Sequence, residues 1–317
     1  MPRRVEAVPY FRPALEEQRY LPECPRVIGD SLVWICIQYA ADRPLGGINV
    51  LNLSSRENVH HPLPGRPGFF AKTGEPGEPG EPGETGEPGV LLVGLERRLV
   101  LYDLNRRAVT ETLAHITDDP RVIINDGIAI PGGAIFGTKH LGFSEPVAAL
   151  YHYDHATRQV RELLGGQICS NGKYLHDGLL VDIDSQPRTI TEYCYDGALH
   201  ALSAPRLIAP PDALPALPDG LRSMPGGKSV TVAYYNPAHV ADGVAQEIRL
   251  SDGEVLTEFV IPGSPRVTCP EVWQLDGATV MFFTTAIESM PAETRAIAPE
   301  AGTIFMAALI DETGEHS

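Results

Sequence analysis

Three short signatures, Asn125-Asp126-Gly127, Ser170-Asn171-Gly172 and Pro218-Asp219-Gly220, place amide and carboxylate oxygens at nearly equal intervals along the chain. Asn125 and Asn171 are 46 positions apart, and Asn171 and Asp219 are 48 apart. Oxygen donors of this kind suit one hard divalent cation, calcium, magnesium or manganese, with zinc tolerated. An interval of roughly 40 to 50 residues is also the length of a four-stranded propeller blade. Equivalent points of neighbouring blades would then converge on a central channel. Each signature taken alone is equally an ordinary hairpin signal, so the ordered set carries the argument.

The elements that must position these groups read as strands. Short β-branched or alternating runs cover Ser31 to Ile37, Gly47 to Leu53, Val90 to Leu95, Arg98 to Leu104, Ile128 to Phe136, Ala148 to Tyr153, Leu179 to Ile183, Ser229 to Tyr235 and Thr279 to Thr285. Turn dipeptides such as Asp177-Gly178, Asp196-Gly197 and Asp252-Gly253 punctuate them. Helical periodicity is scarce, with Ala286 to Ala296 the best candidate. Grouping the strands between the signatures gives six units, approximately 18–60, 61–118, 119–165, 166–210, 211–262 and 263–312. The expected fold is an all-β, six-bladed β-propeller with a central metal-binding channel, a single domain over 1–317. The strand near Val5 to Phe11 is expected to pair with the last unit and close the ring, which removes exposed sheet edges. A β-sandwich with a second domain is the alternative.

The bulk of the chain narrows the function. With 41 acidic against 25 basic residues and a net charge of −16 over 317 residues, a nucleic-acid backbone or an anionic membrane is an unsuitable partner. A small-molecule substrate fits better; a protein partner is not indicated either way. Five scattered cysteines without a Cys-x-x-Cys spacing fit a reduced compartment. Neither a signal-peptide apolar run nor a stretch of about 20 apolar residues occurs, so the expected location is cytoplasmic. Gly74 to Gly89 repeats Gly-Glu-Pro in a collagen-like spelling. It is expected to be a solvated, polyproline-II-biased loop inserted in the second blade, because five triplets are short for a triple helix and its glutamates would stack like charges.

Leu21-Pro22-Glu23-Cys24-Pro25-Arg26, followed in order by the three signatures, resembles the regucalcin, gluconolactonase and luciferin-regenerating-enzyme family. The likeness runs from about Glu23 to Ala286 and includes Phe136-Gly137-Thr138, Asp182 to Ser185, Val232 to Asn236 and Phe282 to Ala286. It implies one divalent cation in the channel held by Glu23, Asn171 and Asp219. It further implies that Asn125 contacts substrate, with Asp126 beside it in the pocket. Lys139 and His140 replace the carboxylate that regucalcin relatives carry after Gly-Thr, and they become candidate substrate contacts. Ile123 stands where many relatives place an arginine, and Val27 where an aromatic residue is expected.

The function so implied is hydrolysis of a small cyclic ester, sugar-lactonase-like. Asp219 or Asp126 would accept a proton from the attacking water. The alternatives are a metal-dependent phosphotriesterase or other esterase on the same scaffold, and a non-catalytic propeller that binds calcium or a metabolite. His60-His61 is set aside as a metal site, since an isolated pair on a loop is ordinarily solvated.

Overall fold

A computed structural model describes residues 1–72, 89–275 and 278–309. Within them lie six sheets, five of four strands and one of five. The first strands of the six sheets are Pro22–Ile28, Pro67–Lys72, Val122–Ile130, Ser170–His176, Leu217–Ser223 and Val267–Leu275. Each of these packs on the first strand of the next sheet, and the sixth returns to the first, so together they wall a central channel. The fold is a six-bladed propeller, and its sheets follow the six intervals of the sequence to within a few residues.

Burial explains the composition of the strands. The second strand of a blade is covered on both faces by its neighbours, and Ser31–Cys36 is accordingly a continuous apolar run after its serine, buried throughout. The fourth strands, such as Ala108–His115, lie at the rim and alternate half-buried with exposed residues. Between blades the core is aromatic. Phe69 of the second blade stacks on Phe136 of the third with centroids 5.9 Å apart, and Phe259 of the fifth meets Phe283 of the sixth at 5.3 Å. Each such ring or aliphatic side chain contributes about 1.5–3 kcal/mol by leaving water.

The turn dipeptide Asp177-Gly178 makes the expected tight hairpin, with φ of 48° and 73°. Three expectations are corrected. The run from Ile128 to Phe136 is not one strand but the two arms of a hairpin, Val122–Ile130 and Gly133–His140, reversing at Gly132 with φ of 78°. The run near Val5 to Phe11 divides at Ala7. Val8–Phe11 pairs antiparallel with Ile304–Ala308 in the sixth blade, whereas Arg3–Glu6 runs parallel to Val255–Ile261 as the fifth strand of the fifth blade. One segment thereby clasps two blades at the ring closure. The helix covers only Ala292–Ile297, the end of the 286–296 stretch and one residue beyond it. The Gly-Glu-Pro segment falls between Lys72 and Val90 in the second blade, and residues 73–88 lie outside the described residues.

The glycines of the signatures are explained by the ring itself. A Cβ on Gly172 would lie 2.5 Å from the Leu221 amide nitrogen and 2.9 Å from the Asp219 carbonyl oxygen, both in the backbone of the next blade. A Cβ on Gly220 would lie 2.5 Å from Cys269 Sγ in the blade after that. Gly172→Ala therefore forces two inner strands apart, and a loss of about 2–3 kcal/mol is expected. A thermal melt within a degree of wild type would show that the strands are not held at this separation.

Candidate functional site

None of the three signatures is a turn. Each lies within an inner strand, at a register shift where that strand carries extra residues against its partner. The pairing jumps between Ile124 and Asp126, between Ser170 and Lys173 and between Pro218 and Leu221. The same irregularity occurs between Glu23 and Arg26 in the first blade, between Pro67 and Phe69 in the second and between Val267 and Cys269 in the sixth. A bulge bends its strand and re-aims side chains. Six bulges at one level of the ring form a collar of redirected side chains around the channel. At the first of them Cys24 adopts a φ of 51°, a strained conformation for a residue with a Cβ, immediately after Glu23.

The collar gathers acid groups that oppose one another. Glu23, Asp126 and Asp219 are all buried. Burial pushes the Glu23 carboxyl well above the usual range, the charges of Asp219 and Asp126 push it further, and the Lys139 ammonium draws it back. Asp219 is likewise driven up by burial; Lys139 opposes this, Asp126 and Glu288 reinforce it, and the Asn171 amide eases it down. Burial also raises Asp126, against the pull of Lys173 and Arg26 from below, and its Oδ1 accepts from the Gly127 N–H at 2.6 Å.

The two asparagines are tied together through Cys169. The Asn125 side-chain amide donates to the Ser170 carbonyl at 3.0 Å and to Cys169 Sγ at 3.7 Å. The Asn171 amide donates to Ser185 Oγ at 3.0 Å and to the same sulfur at 3.8 Å. Burial lifts the Cys169 thiol to about 12, so this cysteine is a neutral packing and hydrogen-bonding partner rather than a nucleophile.

Of the residues singled out from sequence, Glu23, Asn125, Asp126, Lys139, Asn171 and Asp219 thus meet at the collar, and His140 stands apart. It follows Lys139 along a strand and so faces the other way. Its Nδ1 accepts from the Ser144 and Glu145 N–H groups at 3.3 and 3.2 Å, which fastens the 141–147 loop. His60 and His61 are not on a loop either. They lie in the strand Asn58–Pro62, where His60 is bonded to Tyr39 at 2.8 Å and His61 is buried.

Several charged groups of the channel have no signature in the sequence. Glu271 Oε2, on the inner strand of the sixth blade, accepts from Arg222 Nε at 3.1 Å and from Arg26 Nη1 at 3.3 Å, with the carboxylate almost wholly buried. Beside them Lys173 Nζ lies 3.3 Å from Asp182. Between the fifth and sixth blades, the Tyr235 hydroxyl donates to Glu288, with its Oε2 at 3.2 Å, and Arg266 lies 5.2 Å from the centre of the Tyr235 ring. A cleft of about 650 Å³ between the first two blades, lined by Asp30, Asn52, Glu57, His61 and Arg107 among others, holds none of the collar residues.

The donor set fits a hard cation. Glu23 and Asp219 bring two buried carboxylates that lack enough positive charge between them, and Asn171 brings an amide oxygen. Among the described residues no group of three or more His, Cys, Asp and Glu side chains is assembled as a metal site.

Fold and collar together define a six-bladed propeller with an acidic, polar channel mouth. The chain belongs to the SMP-30/gluconolactonase/LRE-like family, whose model matches residues 21–287. Among solved structures, a calcium-binding regucalcin from Agrobacterium tumefaciens superimposes with a TM-score of 0.78 at 17% identity, covering 97% of each chain. A luciferin-regenerating enzyme gives a TM-score of 0.75 at 19% identity over 96% of each chain. No curated protein matches this chain by sequence. Among the described residues no helix is long and apolar enough to cross a membrane.

Proposed function

We propose that the protein is a divalent-metal-dependent hydrolase of a small cyclic ester, a sugar-lactonase-like enzyme. What supports the proposal is that the buried carboxyls of Glu23 and Asp219, from two blades, oppose each other, with the Asn171 amide of a third blade acting on Asp219. Glu23, Asn171 and Asp219 would hold the cation through oxygen atoms. When bound, it supplies a Lewis acid for the ester carbonyl and charge compensation for the two carboxylates. That the similar regucalcin is described as calcium-binding supports a hard ion here.

The chain's own residues supply the remainder. Asp219 or Asp126 accepts the proton of the attacking water, a role set by hydrogen-bond reach to that water. Asp126 is buried beside Asp219, with Lys173 and Arg26 opposing the rise that burial gives its carboxyl. Asn125 is fixed through Ser170 and Cys169, so it orients substrate without losing side-chain entropy on binding. Lys139, buried and within the field of both Asp219 and Glu23, provides positive charge where the ester oxygen becomes negative.

The test is turnover of aldonolactones by purified protein before and after chelation. A fall of at least about 100-fold on chelation, restored by calcium, manganese, magnesium or zinc, is the expected result. Preferential turnover of organophosphate triesters would move the assignment to a phosphotriesterase. Lactone binding without hydrolysis above background would leave a calcium- or metabolite-binding propeller.

A further inference from the structure

The six bulges put the inner strands in register with one another, and the position two residues before each bulge can be compared around the ring. In the third blade it is Ile123, two before the unpaired Asn125. In the fourth it is Cys169, two before Asn171, and its sulfur reaches both asparagine side chains of the collar. In the sixth it is Arg266, two before the unpaired Thr268. The correspondence extends to the backbone. Cys169 makes an isolated bridge to Lys139 of the preceding blade, and Arg266 makes the same bridge to Tyr235. Arg266 therefore occupies, between the fifth and sixth blades, the backbone place that Cys169 occupies between the third and fourth.

Its guanidinium is short of partners. Arg266 is 3% exposed, and its Nε and Nη1 have no hydrogen-bond partner among the described residues. Nη2 reaches only the Ser289 carbonyl at 3.5 Å, the limit of a hydrogen bond. The nearby Glu288 carboxylate is engaged by the Tyr235 hydroxyl, and among the described residues no carboxylate lies within 4.0 Å of the guanidinium. Burying a guanidinium without an anion is costly. The phenol of Tyr235 feels both Arg266 and Asp219, so this cation is one ring away from the collar. On the third-blade side, Ile123 offers no polar contact.

We infer that Arg266, stacked on Tyr235, is an anion clamp at the channel mouth, and that the substrate of the site is a small cyclic ester bearing a carboxylate. A guanidinium matches a carboxylate with charge-assisted hydrogen bonds. Glu23, Asp126 and Glu288 already gather negative charge around Asp219, which favours a monoanionic carboxylate over a dianionic phosphate. The inference rests on the lactonase proposal for its substrate class, though not for the existence of the clamp.

Two measurements separate the two ideas. In the first, kcat/KM is compared for a lactone of glucaric acid, which carries a carboxylate, and for gluconolactone, which does not. Arg266→Met is expected to lose about 30-fold on the carboxylated lactone, mainly through KM, and less than about 3-fold on the neutral one, with partial recovery in Arg266→Lys. The second is calorimetric binding of gluconate to the metal-loaded protein, expected to weaken at least about 10-fold in Arg266→Met, which melts no lower than wild type. If wild type turns over neither lactone while gluconate binding still depends on Arg266, the clamp stands and the lactonase proposal falls. Equal losses on both lactones together with a lowered melt, or unchanged gluconate binding, would overturn the clamp.

Discussion

Asp219→Asn is expected to retain no divalent cation at concentrations that saturate the wild type, yet to melt higher than wild type when both are metal-free. The two halves have one cause. Asp219 is held among Glu23, Asp126 and Glu288, with Lys139 as the nearest relief. A carboxyl whose pKa is higher in the folded protein than in the unfolded chain favours the fold most below its ordinary value, near 3.8 for Asp219. That contribution is lost as pH rises toward the folded value. At neutral pH, without metal, the charge opposes folding and its removal is a gain. With metal the sign reverses, because a cation that binds only the native state stabilises it, by about 2.7 kcal/mol at a hundredfold excess over its dissociation constant. For a chain of this size that is a rise of about 5 °C, present in wild type and absent in the variant. Lactone turnover vanishes with it. A metal-free variant that melts well below metal-free wild type would show that Asp219 is held by favourable contacts rather than by a missing cation.

Glu271→Gln is expected to lower stability by about 3 kcal/mol, the largest loss from any single polar change in the channel. Among the described residues Glu271 is the one carboxylate paired with both Arg26 and Arg222, and it accepts from both. Neutralising it leaves two guanidinia facing each other in a site from which water is largely excluded. The loss reads out as a lower denaturation midpoint at unchanged slope. The cause is uncompensated charge rather than packing, so replacing all three residues together with apolar side chains is expected to recover most of it. A triple variant no more stable than Glu271→Gln would assign the effect to shape.

The strands were legible because local chemistry dictates them: β-branched runs, period-two alternation and glycines that supply positive φ, as at Asp177-Gly178. The handover at Ala7 was not, because it turns on a hydrogen bond from the Ala7 N–H to the distant Val260 carbonyl. The signatures gave the spacing of the blades but not their local form. Whether Asn-Asp-Gly is a turn or a bulge is decided by a neighbouring strand more than 40 residues away, which the glycine lets approach. Lys139 and His140 are indistinguishable as neighbours in sequence and diverge only once the strand sets their faces. Glu271 and Arg266 left no local trace. Each is a single charged residue in the last inner strand or just before it, and the Arg26 partner of Glu271 is 245 positions away. Charge networks assembled across blades are invisible to any pattern shorter than the ring.

The most direct test is the calcium content of the protein after dialysis against a calcium buffer, measured by elemental analysis for wild type and Glu23→Gln. Glu23 is the member of the set farthest from the others in sequence, and only ring closure brings it to Asp219. One ion per wild-type chain and essentially none in Glu23→Gln is the expected result. An ion retained undiminished by the variant, or none bound by wild type, would contradict a cation held by Glu23, Asn171 and Asp219.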